Sequence, residues 1–294
     1  LELSKTEKFM LEIAEKYNIP VVTPKNGFEM IWETHPMLAG RIGINGQRAG
    51  NLAVQNSDFI LILGARLPLV TVGYETKLFA PNAKKVLVDC DKAQLEHCWI
   101  KTDLNVFADL KDFMPELAKK LTEEKFEYDS EFWINKVQGY RKKYPTVTEE
   151  VRKQKKYVDS YFFFDVLSDY MTKDDVLVVD QGATFYSLTT AFKVKQGQLA
   201  FTNGGFSPMG YGLPASVGCC FAKGVRKVVS VNGDGGLQMN IQELQTIIHN
   251  NLDIKVFVFN NEGYLSIKHT QTNFFNGHLV GSNPESGVSC PDSI

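Results

Sequence analysis

The 294-residue sequence predicts an α/β protein built from two doubly wound parallel-sheet domains, and three observations carry that prediction. Apolar runs of strand length alternate with helical stretches along both halves of the chain. The runs end in Gly, Asp or Asn, the residues expected where parallel strands present their C-terminal ends to a ligand. The length suits about two domains, each able to bury a core.

The elements follow in order. In LELSKTEKFMLEIAEKYNIP the apolar positions Phe9, Met10, Ile13, Ala14 and Tyr17 recur at helical spacing, and Pro20 ends the helix. PVVT starts a strand. GFEMIWETHPMLAGRIGINGQRAG reads as a Gly-rich loop, followed by a helix around NLAVQNSD. Strands are expected at FILILGAR (59–66) and KVLVDCD (85–91), and the helix VFADLKDFMPELAKKL closes a first domain at 1–125. Residues 126–158 read as an interdomain connector. Within it, RKKYPTVTEEVRKQKK carries seven basic residues against two acidic ones, a composition suited to a solvated link. The second domain, 159–294, repeats the pattern. SYFFFDVLSDYM leads to the strand VLVVD (176–180), which ends in QGAT. Then come QLAFTNGG, the small-residue helix MGYGLPASVGCCFAK, and the strands of KVVSVNGDGG and IKVFVFNNEG.

Composition narrows the function. A formal charge of −2 gives no support for a nucleic-acid partner, and 44% hydrophobic with 22% charged residues is ordinary for a globular protein. No apolar run approaches the roughly 18 residues of a membrane span. The five cysteines, Cys90, Cys98, Cys219, Cys220 and Cys290, lack paired metal spacing and read as reduced thiols, which favours a cytoplasmic setting. The chain opens without Met and closes on the Gly/Pro/Ser-rich GSNPESGVSCPDSI. It is therefore read as a fragment of a longer polypeptide, its second domain incomplete at the C-terminus.

The most informative stretch is VVSVNGDGGLQMNIQELQTIIHNNLDIKVFVFNN, residues 228–261. In a parallel crossover both strands end on one sheet edge. Asp234 follows the first strand and Asn261 the second, while Asn240 with Glu243 three residues on reads as a capping box that starts the intervening helix. A carboxylate and an amide oxygen facing one cavity suit a hard cation such as Mg²⁺, which borrows phosphate oxygens. Gly235 and Gly236 would bring backbone N–H groups to those phosphates. GDGG by itself is first of all a polar turn; the second polar strand end makes a Mg²⁺-bound diphosphate the expected ligand.

These residues are where a family becomes visible. GDGG followed by NNEGY resembles the thiamine-diphosphate motif of the 2-oxo-acid decarboxylase and acetolactate synthase superfamily. FTNGGFSPMGYGLPASVG resembles the segment that sets an apolar residue beneath the cofactor. VTPKNGFEMIWETHPMLAG, GNLAVQNSDFILILGARL and VLVDCD are similar to acetolactate synthase central domains. The resemblance covers nearly the whole chain and implies the central and diphosphate-binding parts of a three-domain enzyme, without its pyrimidine-binding domain. It implies Mg²⁺ ligation by Asp234, Asn261 and the carbonyl of Gly263, and a diphosphate surrounded by Gly235, Gly236, Ala183 and Thr184. It makes Met209 the wedge that bends the cofactor and the carbonyl of Ser207 the acceptor for the 4′-amino group. A lone methionine would otherwise read as core.

The implied activity is decarboxylation of a 2-oxo acid, with pyruvate the expected donor, and transfer of the acyl-anion equivalent to a carbonyl acceptor. A simple decarboxylase and a catalytically silent homologue are the alternatives. The family's activating Glu lies on the pyrimidine domain of a partner subunit, so a homodimer or homotetramer is expected and this fragment alone should be inactive. Gly64, Arg66, Asp89, Asp91 and the Gly46–Asn51 loop fall where flavin-binding relatives contact FAD; a domain that keeps the fold without the dinucleotide is the other reading. After NNEGY, Ser266 and Thr270 stand where branched-chain enzymes of the family carry Met and Trp. This implies a roomier, more polar acceptor pocket, suited to a keto-sugar. His269 either assists proton transfer there or is a surface histidine.

Overall fold

The computed structural model describes residues 1–128, 130–222 and 227–287. The chain divides into two compact units, Leu1–Thr146 and Val147 onward.

The first unit contains α1 (Glu7–Lys16), β1 (Val21–Pro24), β2 (Leu38–Ile42), α2 (Arg48–Gln55), β3 (Phe59–Leu63), α3 (Leu69–Val72), β4 (Lys84–Asp89), α4 (Lys92–Glu96), β5 (Leu104–Phe107), α5 (Leu110–Glu123) and α6 (Glu131–Lys143). β1 pairs with β2, and β3, β4 and β5 form a second sheet in that order; all pairings are parallel. Three details differ from the sequence reading. The expected Gly-rich loop contains β2, buried along its whole length. Its Arg41 is 1% exposed, which hides the strand from a hydropathy pattern. The guanidinium is tolerated because it donates to Glu33 at 2.5 Å and to the carbonyl of Phe28 at 3.3 Å. Val106 and Phe107 belong to β5, and α5 begins only after Asp109, whose carboxylate caps the Lys111 N–H at 3.0 Å. Finally, α6 lies within the stretch read as connector. It buries Ile134 and Val137, and its Arg141 reaches the other oxygen of Glu33 at 2.5 Å.

The second unit contains α7 (Glu149–Lys153), α8 (Ser160–Tyr170), β6 (Asp175–Val179), α9 (Ala183–Ala191), β7 (Ala200–Phe201), α10 (Gly212–Phe221), β8 (Lys227–Gly233), α11 (Asp234–Met239), α12 (Glu243–His249), β9 (Ile254–Phe259) and α13 (Leu265–Phe274). Its sheet is parallel with order β7-β6-β8-β9. The central strands bury Val176–Val179 and Val228–Asn232 on both faces, which explains their near-continuous apolar sequence. α10 covers β6 and β8, with Val176, Val178, Cys219 and Val228 in one core. On α8, Phe163 meets Phe257 and Phe259 of β9 edge-on at 5.3 and 5.0 Å. From β6 the chain moves outward to β7, and from β8 it moves outward the opposite way to β9. The crevice between the ends of β6 and β8 is thus a topological switch point, where open α/β sheets receive ligands.

Cys90, Cys98, Cys219 and Cys220 are free thiols, and Cys290 lies outside the described residues. Burial pushes the Cys219 and Cys220 thiols up, which disfavours the reactive thiolate. Among the described residues no helix is long and apolar enough to cross a membrane.

Two measurements check this packing. Glu33→Ala leaves two guanidinium groups without their shared carboxylate and should cost about 3 kcal/mol in urea denaturation. Lys25 is buried, and desolvation lowers its amine from 10.5 to about 8. Below pH 8 the amine is charged in both states, and above 10.5 it is neutral in both. Between these values the unfolded chain binds the extra proton, so this residue's contribution to stability rises with pH. The stability difference between the parent and Lys25→Met should therefore change across that window and stay flat below it; a constant difference would refute the buried amine.

Candidate functional site

The switch point collects side chains from three strand ends. β6, β8 and β9 are aligned with Val179 opposite Val231 and Gly233 opposite Phe259, so the residues that follow them share one edge. Asp234, the first residue of α11, is 2% exposed. Its Oδ1 accepts from the Gly235 N–H at 2.8 Å. Its Oδ2 accepts from the N–H groups of Asn261 at 3.2 Å and Gly263 at 3.0 Å. One carboxylate thereby ties the end of β8 to the loop after β9. A carboxylate offers about four acceptor positions, so about one remains open.

The loop after β9 is shaped to reach it. Gly263 has φ +134°, and a Cβ there would lie 2.4 Å from the carbonyl oxygen of Ser282. Its own carbonyl accepts from the Leu265 N–H at 3.2 Å, which leaves one lone pair unused. The Asn261 side chain is exposed beside it. The segment from Gly281 also takes part. Asn283 caps a short 3-10 turn at Pro284–Ser286, Ser282 is fully buried, and its carbonyl accepts from the Tyr264 N–H at 2.9 Å. Among the described residues no group of three or more His, Cys, Asp or Glu could hold a metal. A cation at this edge would therefore draw on one carboxylate and neutral oxygens.

The end of β6 supplies residues that the sequence reading passed over. Asp180 is fully buried and accepts from the N–H groups of Gly210 and Tyr211 at 3.0 Å and Gly212 at 3.3 Å. Burial pushes its carboxyl above the usual range, opposed by these N–H groups and that of Gln181. A Cβ on Gly236 would lie 1.9 Å from Asp180 Oδ2, so α11 can approach β6 only through glycine. Gln181 Oε1 and Asn232 Oδ1 are buried without a hydrogen-bond partner among the described residues. The available signal was the parallel between VLVVD and VSVNGD, two apolar strands each closed by a carboxylate.

Of the expected diphosphate contacts, Ala183 begins α9 and Thr184 follows it, in the first turn of a helix that carries no side-chain cap. Thr184 is buried and donates its hydroxyl to the carbonyls of Asp180 at 2.8 Å and Gln181 at 3.0 Å. Ser207, with φ +53°, and Met209, 36% exposed, lie on the loop before α10; Met209 is not a core methionine. The capping box is corrected. Asn240 does not cap α12, which begins at Glu243 without a side-chain cap; its amide instead donates to the Gly210 carbonyl at 2.7 Å. The backbone already turns at Asn240 between two short helices, which frees the amide for the neighbouring loop.

The remaining expected residues have these surroundings. The His269 side chain is exposed, with no hydrogen bond or ion pair among the described residues, and Thr270 spends its hydroxyl on the Ser266 carbonyl at 3.0 Å. In the first unit, Gly64 and Arg66 are exposed at the end of β3. Asp89 accepts from the Asp91 N–H at 2.9 Å, and Asp91 caps α4 through Ala93 at 3.0 Å, so both carboxylates serve their own turn. Asn51 likewise holds Gly43 at both N–H and carbonyl, at 3.0 and 2.9 Å.

Close packing at the switch point predicts a contrast. Gly236→Ala should lower stability by about 1–3 kcal/mol through collision with Asp180, whereas Gly233→Ala, with nothing within 4 Å, should change it little. Equal effects in thermal unfolding would contradict the packing.

Comparison with known proteins gives the family. Residues 1–117 match the family "Thiamine pyrophosphate enzyme, central domain", and residues 180–290 match "Thiamine pyrophosphate enzyme, C-terminal TPP binding domain". The acetolactate synthase isozyme 1 large subunit of Escherichia coli (strain K12) is 30% identical over 264 residues, covering 90% of this chain and 45% of that protein. The acetolactate synthase large subunit of Lactococcus lactis subsp. lactis (strain IL1403) is 30% identical over 265 residues, 89% of this chain and 44% of its own. That of Cyanidium caldarium is 29% identical over 295 residues, with 99% and 49% covered. The chain spans less than half the length of each of these relatives. The chain belongs to the thiamine pyrophosphate enzymes, of which it carries the central and the C-terminal TPP-binding domains.

Proposed function

We propose that the intact protein uses thiamine diphosphate and Mg²⁺ to decarboxylate a 2-oxo acid, pyruvate in the first instance, and to transfer the acyl unit to a carbonyl acceptor. The observation that carries this reading is the Asp234 carboxylate joined to the Asn261–Gly263 loop at the switch point, with glycine at its rim. Asp234, the Asn261 side chain and the Gly263 carbonyl would hold the cation. The N–H groups at Gly236, Ala183 and Thr184 would surround the diphosphate, beside Gly235, whose own N–H is held by Asp234. When bound, the cofactor would supply an electron sink for the bonding pair left behind as carbon dioxide departs. The chain's own part is to hold that cofactor, exclude water at the buried strand ends and present Met209 and Ser207 above them. The names of the relatives support acetolactate synthase-like chemistry. Exposed Ser266 and Thr270 favour a polar acceptor, a keto-sugar among them, and His269 would act only at that outer side.

A homo-oligomer in the cytoplasm, with a Glu of a pyrimidine-binding domain completing the site, belongs to the same reading. FAD in the central domain rests on less, since Asp89 and Asp91 are engaged locally. Exposed Arg66, with no ion pair among the described residues, is the group left for a dinucleotide phosphate.

The test is product analysis of the intact protein given thiamine diphosphate, Mg²⁺ and pyruvate, with and without carbonyl acceptors. Acceptor-dependent ligation products are expected. Aldehyde and carbon dioxide without any acceptor would point to a simple decarboxylase, and absence of cofactor retention to a silent homologue. Asp234→Ala should weaken Mg²⁺-dependent cofactor retention by at least about tenfold in equilibrium dialysis.

A further inference from the structure

We propose that Asp180 and Gln181, consecutive residues at the end of β6, are positioning residues that pin both ends of the loop carrying Ser207 and Met209. The loop runs from Thr202 to Gly212. At its start, Gln181 Nε2 donates to Thr202 Oγ1 at 2.6 Å and to the Asn203 carbonyl at 3.0 Å. That same carbonyl accepts from the Ser207 N–H at 3.1 Å, which closes the first turn. At its end, Asp180 takes the N–H groups of Gly210, Tyr211 and Gly212, and the Asn240 amide holds the Gly210 carbonyl from the opposite side. Gly210 is thus gripped at both its donor and its acceptor.

Between the two anchors the loop is open. Residues 205–209 are exposed, with Phe206 95% exposed, while Asp180 and Gln181 are buried beneath. Exposed backbone without a covering element takes its position from its ends. An open loop of this kind would otherwise sample many conformations, each placing Met209 at a different height. The consequence rests on the proposed thiamine-diphosphate reading. A wedge between two rings acts only if its height is set to a fraction of an ångström, and misplacement by about 1 Å costs on the order of 100-fold in rate. Asp180 and Gln181 need not touch the cofactor to supply that precision; they act through the loop.

The experiment compares Gln181→Leu and Asp180→Asn with the intact parent protein in three readouts. The first is amide hydrogen exchange of residues 203–212 without cofactor. The second is retention of thiamine diphosphate with Mg²⁺. The third is the rate at which bound thiamine diphosphate exchanges its C2 proton for deuterium after mixing into heavy water. Loop exchange should quicken about tenfold or more, from loss of a buried hydrogen bond. Retention should stay within about a factor of three, because the diphosphate contacts are untouched, while C2 exchange slows roughly 10- to 100-fold. Unchanged C2 exchange in a variant that retains cofactor, or loop amides as protected as in the parent, would overturn the proposal. A lowered unfolding temperature with neither change would assign both residues a merely structural role and overturn it equally. Should Asp180→Asn fail to fold, Gln181→Leu carries the test. Failure of the parent itself to retain thiamine diphosphate would instead defeat the proposed function, and the cofactor-free exchange arm would still judge the clasp.

Discussion

A buried carboxylate reaching across two strand ends organises the second unit. Asp234 could not remain 2% exposed as a charge without partners, and the N–H groups of Gly235, Asn261 and Gly263 satisfy it in place of water. Because two of those donors lie beyond β9, the bond between them is also a bond between the crossover's two exits. Everything nearby conforms to it. Gly263 is glycine because the Ser282 carbonyl crowds its missing Cβ, and the 282–286 turn holds the following Tyr264 in register. The polar strand ends are thus a structural knot before they are a ligand site.

The second carboxylate of the crevice works differently. Asp180 faces backbone N–H groups alone and binds the loop before α10 to the end of β6, with Gly236 pressed against it. Two buried acids a crevice apart, one fastening the β9 loop and one fastening the α10 loop, define the two walls of the switch point. Neither wall is a single element, so the shape of this sheet edge depends on hydrogen bonds between loops more than on helix packing. Such sites lose precision before they lose stability.

Much of this was legible in the residues. The strands VLVV and VVSV, buried on both faces, and the exits GDGG and NNEG were visible because parallel central strands read as continuous apolar runs closed by polar residues. What escaped notice did so for physical reasons. β2 carries a buried arginine whose compensation comes from Glu33, in a turn eight residues earlier that no strand pattern contains. Asn240 obeyed a local capping pattern, yet its amide was claimed by Gly210, a contact across sequence that no local rule contains. Asp180 was passed over because its partners are backbone groups, which leave no signature in side-chain identity. α6 looked like solvated linker because its buried face is only Ile134 and Val137 amid many charges.

The most direct measurement of the central claim is an anomalous difference map from crystals of the intact protein grown with thiamine diphosphate and Mn²⁺, a cation that shares Mg²⁺'s preference for oxygen ligands. The expected result is one strong peak about 2.1 Å from Asp234 Oδ1, the carboxylate oxygen that accepts a single N–H, with the Asn261 side chain and the Gly263 carbonyl turned towards it. Ordered cofactor with its metal peak elsewhere in the fold, and Asp234 left bonded only to its three N–H groups, would contradict it.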